Sequence, residues 1–132
     1  TVIPKTKTSV NGEWVWAVID VPDSYSQQFG ERQSGGFVDI VQPVIKRNVL
    51  TFQGATINLA LRLEYVDYNV GTFRETGESI SDDIVAVVPG ISLRSSPQTV
   101  FRVNYRYRWE QDLLGNPPSH SAGFQFGLST YF

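Results

Sequence analysis

Apolar and polar positions alternate with a period of two through most of this chain. In 99–110, Phe101, Val103, Tyr105, Tyr107 and Trp109 fall on one face of an extended strand, and Arg102, Asn104, Arg106, Arg108 and Glu110 on the other. Segment 55–68 sets Ile57, Leu59, Leu61, Leu63 and Tyr65 against Asn58, Ala60, Arg62, Glu64 and Tyr68. In 84–94, Val85, Val87, Pro89, Ile91 and Leu93 oppose Ala86, Gly90, Ser92 and then Arg94. The final residues place Phe124, Phe126, Leu128, Thr130 and Phe132 on one face, with Gln125, Gly127, Ser129 and Tyr131 on the other. Six strands are predicted: Glu13–Val21, Phe37–Lys46, Ala55–Tyr68, Ile84–Arg94, Thr99–Glu110 and Gly123–Phe132. No segment has a helical period. In the first strand Trp14, Trp16 and Val18 oppose Val15, Ala17 and Ile19, the pattern of a strand buried on both faces. Residues Thr1–Val10, rich in Thr and Lys with Pro4, read as a seventh strand or a frayed end. Pro43 and Pro89 interrupt ladder hydrogen bonding and predict bulges.

The connections alternate in length. Val49–Gly54 and Ser95–Gln98 are short, whereas Pro22–Gly36, Asn69–Asp83 and Gln111–Ala122 are long and rich in Gly, Ser, Asp, Asn and Pro. Strands of about 9 to 14 residues reach the length that a tilted strand needs to cross a bilayer. Short turns at one end and long loops at the other are the layout of a transmembrane barrel. On a common strand axis, Trp109, Tyr107, Phe124, Tyr65 and Phe37 fall toward the long-loop end. Phe132, Phe101 and Phe52 fall toward the short-turn end, with aliphatics between, as interfacial aromatic belts would.

Composition narrows the classes. The 132 residues suffice for one domain, 1–132. Charged residues are 18% of the chain and aromatics 13%, a lean charge and a high aromatic content. No apolar run approaches the roughly 18 residues of a spanning helix. The chain opens at Thr1 with no leader, which predicts a processed or truncated product. Zero cysteines exclude disulfides and thiol–metal sites. A net charge of −2 argues against nucleic acid as a partner.

The ending Phe124-Gln125-Phe126-Gly127-Leu128-Ser129-Thr130-Tyr131-Phe132 resembles the terminal strand of Gram-negative outer-membrane β-barrels. In that family, a C-terminal Phe preceded by alternating apolar residues is read by the barrel-assembly machinery. The resemblance covers 55–132 well and 13–46 weakly. It implies an all-β, antiparallel up-and-down transmembrane β-barrel in the outer membrane of a Gram-negative bacterium. Outer-membrane lipid, the assembly machinery and small solutes are its implied partners, with a homo-oligomer open. Six or seven strands fall short of the eight in the smallest single-chain bacterial barrels, and an open edge cannot face lipid. The chain is therefore expected to be the C-terminal part of a larger barrel, or to have an unrecognised N-terminal strand.

The inward face carries the candidate chemistry. Arg62, Arg94, Arg102, Arg106 and Arg108, with Glu64 and Glu110, are the expected pore-lining charges. With inward faces kept together, Arg102, Arg106 and Arg108 are expected across from Ser92, Val88 and Ala86, and beside Tyr131, Gly127 and Gln125. No acid stands among these neighbours, so the arginines would project into the lumen and favour anions. The competing reading pairs them with acids on distant strands. Trp109, Tyr107, Phe124, Phe132 and Phe101 are the expected interface aromatics. Phe124, Phe126, Leu128, Thr130 and Phe132 are the implied assembly signal. His120 reads as a surface-loop residue, and the acidic loop Glu75–Asp83 as solvated. No catalytic constellation, cofactor motif or metal-ligand spacing is present. The expectation is a porin-like, non-enzymatic channel for passive diffusion of small anionic solutes. The alternatives are a non-conducting outer-membrane barrel serving as envelope anchor or assembly partner, or a soluble β-sandwich or lipocalin-like binding module.

Overall fold

A computed structural model describes residues 1–22, 24, 30–49 and 52–131. They form six strands: β1 (Ser9–Val18), β2 (Arg32–Val49), β3 (Phe52–Asp67), β4 (Asp83–Ser96), β5 (Thr99–Glu110) and β6 (Ser119–Thr130). The strands make one antiparallel sheet in the order β1-β2-β3-β4-β5-β6, each paired with its neighbours in sequence. This is an all-β, up-and-down meander, and the sheet is open: β1 and β6 each have one unpaired edge among the described residues.

The turns behave as their residues dictate. Pro97 and Gln98 alone join β4 to β5, with the Gln98 N–H donating to Ser96 Oγ at 3.2 Å. At the opposite end, Tyr68–Asp82 is a folded loop of its own. The Thr72–Ser79 bridge closes a small hairpin whose tip uses Gly77 at φ 72. Ile80 and Asn69 are buried beneath it, and the Ser81 N–H donates to the Leu113 carbonyl of the β5–β6 loop at 3.3 Å. That second loop is organised by Asp112, which accepts from the backbone of Leu114 and from the side chain of Asn116 at 3.0 and 2.6 Å. These hydrogen bonds, Asn116's first, hold the Asp112 carboxyl below the usual carboxylate range. Long and short connections alternate as the sequence predicts.

Several boundaries differ from expectation. β1 begins at Ser9 and ends at Val18, so Ile19 lies outside it; of Thr1–Val10, Ser9 and Val10 open β1 and the rest adds a Val2–Ser9 bridge instead of a seventh strand. Far from being buried on both faces, β1 is an edge strand with Val15 and Trp16 exposed. β2 runs from Arg32, because Gly35 and Gly36 allow close approach of the flanking strands. β6 begins at Ser119, four residues before the expected start, so Arg102, Arg106 and Arg108 pair with Gly127, Gly123 and Ser121 instead of Tyr131, Gly127 and Gln125. Small and polar residues in 119–122 mimic a loop in sequence, yet pair with β5 to its last residue. A shift of four preserves parity, so every side chain keeps its face. Pro43 sits at a register shift against β3, and the β4–β5 pairing is interrupted next to Pro89.

The two faces of the sheet as candidate functional site

Register turns the alternation of single strands into two chemically distinct surfaces. On one face, in-register rows run across the sheet. Trp14, Gly36, Tyr65, Val85, Trp109 and His120 form the row nearest the long loops. Below it lie Val38, Leu63, Val87 and Tyr107, then Ile40, Leu61 and Pro89 with the Tyr105–Phe124 pair. Leu59, Ile91, Val103 and Phe126 follow, and Ile45, Ile57, Leu93, Phe101 and Leu128 close the band. From Trp109 to Phe101 it extends about 27 Å along the strand. On β3, β4 and β5 this face carries no charged residue between those rows.

Burial on the two faces is the reverse of that in a soluble sheet. Ala86, Val88 and Ser92 of β4 point to the polar face and are buried, whereas Val85 and Ile91 on the apolar face are 41% and 55% exposed. Phe126 is 79% exposed. In water an antiparallel sheet hides its apolar face and solvates its polar one. The chain exposes 9605 Å², against about 7000 Å² for a folded monomer of this mass.

Aromatic order is concentrated at the long-loop end. The Trp14 and Tyr65 rings stack at 5.9 Å and 14°, across the strip left open by Gly36 between them. Tyr107 and Trp109 meet edge to face at 4.6 Å, and His120 lies 6.0 Å from Tyr107. His120 is therefore a strand residue within the aromatic row, not a loop residue. Phe124 sits mid-band, beside Tyr105 at 5.1 Å, as a consequence of the earlier start of β6. Phe37 turns to the polar face, where the Arg62 guanidinium lies 4.4 Å over its ring. At the short-turn end Phe101 is in the band, Phe52 lies at the β2–β3 turn, and Phe132 is outside the described residues. Among the described residues one aromatic row is thus defined, and Phe101 stands at the opposite end of the band.

The polar face holds an ion-pair network in its upper half. Arg62 of β3 makes a two-point contact with Asp39 of β2, Nε to Oδ1 at 2.7 Å and Nη2 to Oδ2 at 2.6 Å. Arg106 of β5 reaches over the small Ala86 and Val88 of β4 to Glu64 of β3 at 2.5 Å. Arg62 also lies 3.8 Å from Glu64, and Arg108 pairs with Glu110 on its own strand at 2.8 Å. The expectation that the arginines of β5 stay free of acids is corrected for Arg106 and Arg108. The partner of Arg106 is two strands away, beyond the neighbours that a turn-based register compares. Arg94 and Arg102 have no ion pair among the described residues. Asp39 is the participant that the sequence pattern missed. Its signal was present in the Phe37, Asp39, Val41 alternation, but both faces of β2 are rich in apolar residues.

Comparison with protein-family models, with curated proteins and with solved structures found no match.

Proposed function

We propose that this chain is the wall of an outer-membrane β-barrel of porin type, with its apolar face toward lipid and its ionic face toward a lumen that passes small anionic solutes. The observation that carries the reading is the reversed burial on β4 within six in-register strands: a broad apolar band left open, and an ion-pair network on the opposite face. Lipid is the solvent that favours the first surface, and a water-filled lumen favours the second. Strands of 10 to 18 residues are long enough to cross a tilted bilayer path. The aromatic row of Trp14, Tyr65 and Trp109 stands where an interface would select amphipathic rings. Short turns at one end and long, internally hydrogen-bonded loops at the other match periplasmic and outer ends.

An open edge in lipid leaves N–H and C=O groups without partners, so β1 and β6 pair with further strands in the assembled barrel. Phe124, Phe126, Leu128 and Thr130, with Phe132, supply the assembly signal. The ionic face is net basic, since Arg62, Arg94, Arg102, Arg106, Arg108 and Lys46 outnumber Glu13, Asp39, Glu64 and Glu110. Clustered positive potential in a low-dielectric wall lowers the barrier for anions.

The ion pairs favour a second reading, a closed barrel acting as an envelope anchor, because paired side chains stiffen and fill a lumen. Reconstitution of the native protein in a planar bilayer under a salt gradient separates the two. The porin reading predicts discrete channels with a reversal potential favouring chloride. Silence at high protein loading supports the closed barrel, and cation preference rejects the anion assignment.

A further inference from the structure

The charges of the polar face are not evenly mixed. In the three rows nearest the long loops stand all four acids of this face, Glu13, Asp39, Glu64 and Glu110, with Arg62, Arg106 and Arg108. The next row is neutral: Ser9, Val41, Ala60, Gly90, Asn104 and Gln125. Below it, Arg102 lies in a row with Pro43, Asn58, Ser92 and Gly127, and the last row holds Lys46, Thr56, Arg94, Val100 and Ser129. These two rows carry three cations and no acid. The upper half therefore nets −1 and the lower half +3.

The three lower cations are exposed and free of ion pairs among the described residues. Arg94 makes only a 3.5 Å contact with the Pro97 carbonyl, and Arg102 is its diagonal neighbour across β4 and β5. Lys46 and Arg94 flank Thr56, two strand spacings or about 10 Å apart. The residues around them are small or hydrogen-bonding. Asn58 donates to Ser92 Oγ at 3.1 Å, and Gly127 faces Arg102 with no side chain in the way.

We infer that small-anion selectivity resides in the Lys46, Arg94 and Arg102 cluster at the short-turn end, while Arg62, Arg106 and Arg108 form a charge-compensated brace. This rests on the channel reading above. A cation whose field is cancelled by a carboxylate at 2.5–2.8 Å offers little to a passing anion, whereas one without a contact ion pair keeps more of its field over a Debye length of about 8 Å, even where, as for Arg102, the more distant Asp39 carboxylate feels it. Because the free charge among the described residues sits at one end of this wall, the open channel also rectifies.

The test is the reversal potential and current–voltage curve of the native protein and its variants in a planar bilayer with a potassium chloride gradient. R94Q/R102Q should lower the chloride-to-potassium permeability ratio on the order of threefold and abolish rectification. The charge-neutral pair E64Q/R106Q should move both less than R94Q/R102Q does, and R94K/R102K should retain them. If the double glutamine variant does not insert, K46Q alone reads the same site, with a smaller loss. A chloride-selective native channel whose selectivity is unmoved by R94Q/R102Q or K46Q, or moved equally by E64Q/R106Q, overturns the inference and leaves the channel reading intact. A native protein without channels, or with cation-preferring ones, overturns both.

Discussion

Gly36 shows how a single residue sets the local order of the sheet. A Cβ there would collide with the Glu13 carbonyl oxygen and stand 2.7 Å from Trp14 Cε3. The missing side chain lets the Trp14 indole lie across β2 and stack on Tyr65. Gly36→Val should cost about 1–3 kcal/mol through overpacking and remove the near-ultraviolet circular dichroism of the Trp14–Tyr65 pair. Denaturant unfolding with an unchanged aromatic signal would show that the stack does not depend on Gly36. The alternation of Trp14 and Trp16 was legible in the sequence, but their partner was not, because Gly36 has no side chain and gives no periodic signal. The same holds for Arg106. Its own position implied the polar face, while the contact with Glu64 depends on Ala86 and Val88 being small enough to be bridged.

Among the elements, β5 was the most legible and β6 the least well bounded. Thr99–Glu110 has large apolar residues at every second position and charges between them, so both its limits and its faces follow from the pattern. Ser119–Ala122 has neither, and only pairing with Tyr107–Glu110 makes it strand. β2 shows the opposite difficulty. Apolar residues on both of its faces hid the parity of Phe37 until the register against Glu64 fixed it. β3 lies inside the sheet and carries the band from Ile57 to Tyr65. On the proposed lipid-facing reading, Leu61→Arg, in the middle of that band, should cost roughly 2–4 kcal/mol and impair insertion, because it would move a guanidinium into hydrocarbon. Arginine at Ala60, one position along and on the polar face, should be tolerated. Urea titration of the two variants in lipid vesicles measures the difference. Equal stabilities would mean that the two faces of β3 meet the same solvent.

For the molecule as a whole, the accessible area, the reversed burial and the two unpaired edges have one physical explanation. A sheet whose open face is apolar over five in-register rows is stable where that face is not in water. Its edges are satisfied where further strands continue the ladder. The loop asymmetry adds a direction, with the hydrogen-bonded loops at the end of the aromatic row and the free cations at the opposite end. Sequence alternation gave the faces of β3 to β6 and the alternation of short and long connections. It could not give the charge segregation, which emerges only when six strands are set in register.

The absence of cysteine from the 132 residues makes orientation directly measurable. Single cysteines introduced one at a time from Phe101 to Arg108 in the native protein, in intact membranes, can be challenged with a membrane-impermeant maleimide. The account predicts labelling at positions 102, 104, 106 and 108, and protection at 101, 103, 105 and 107 until detergent is added. Labelling without alternation, or protection of the even positions with reaction at the odd ones, would contradict a lipid-facing apolar band.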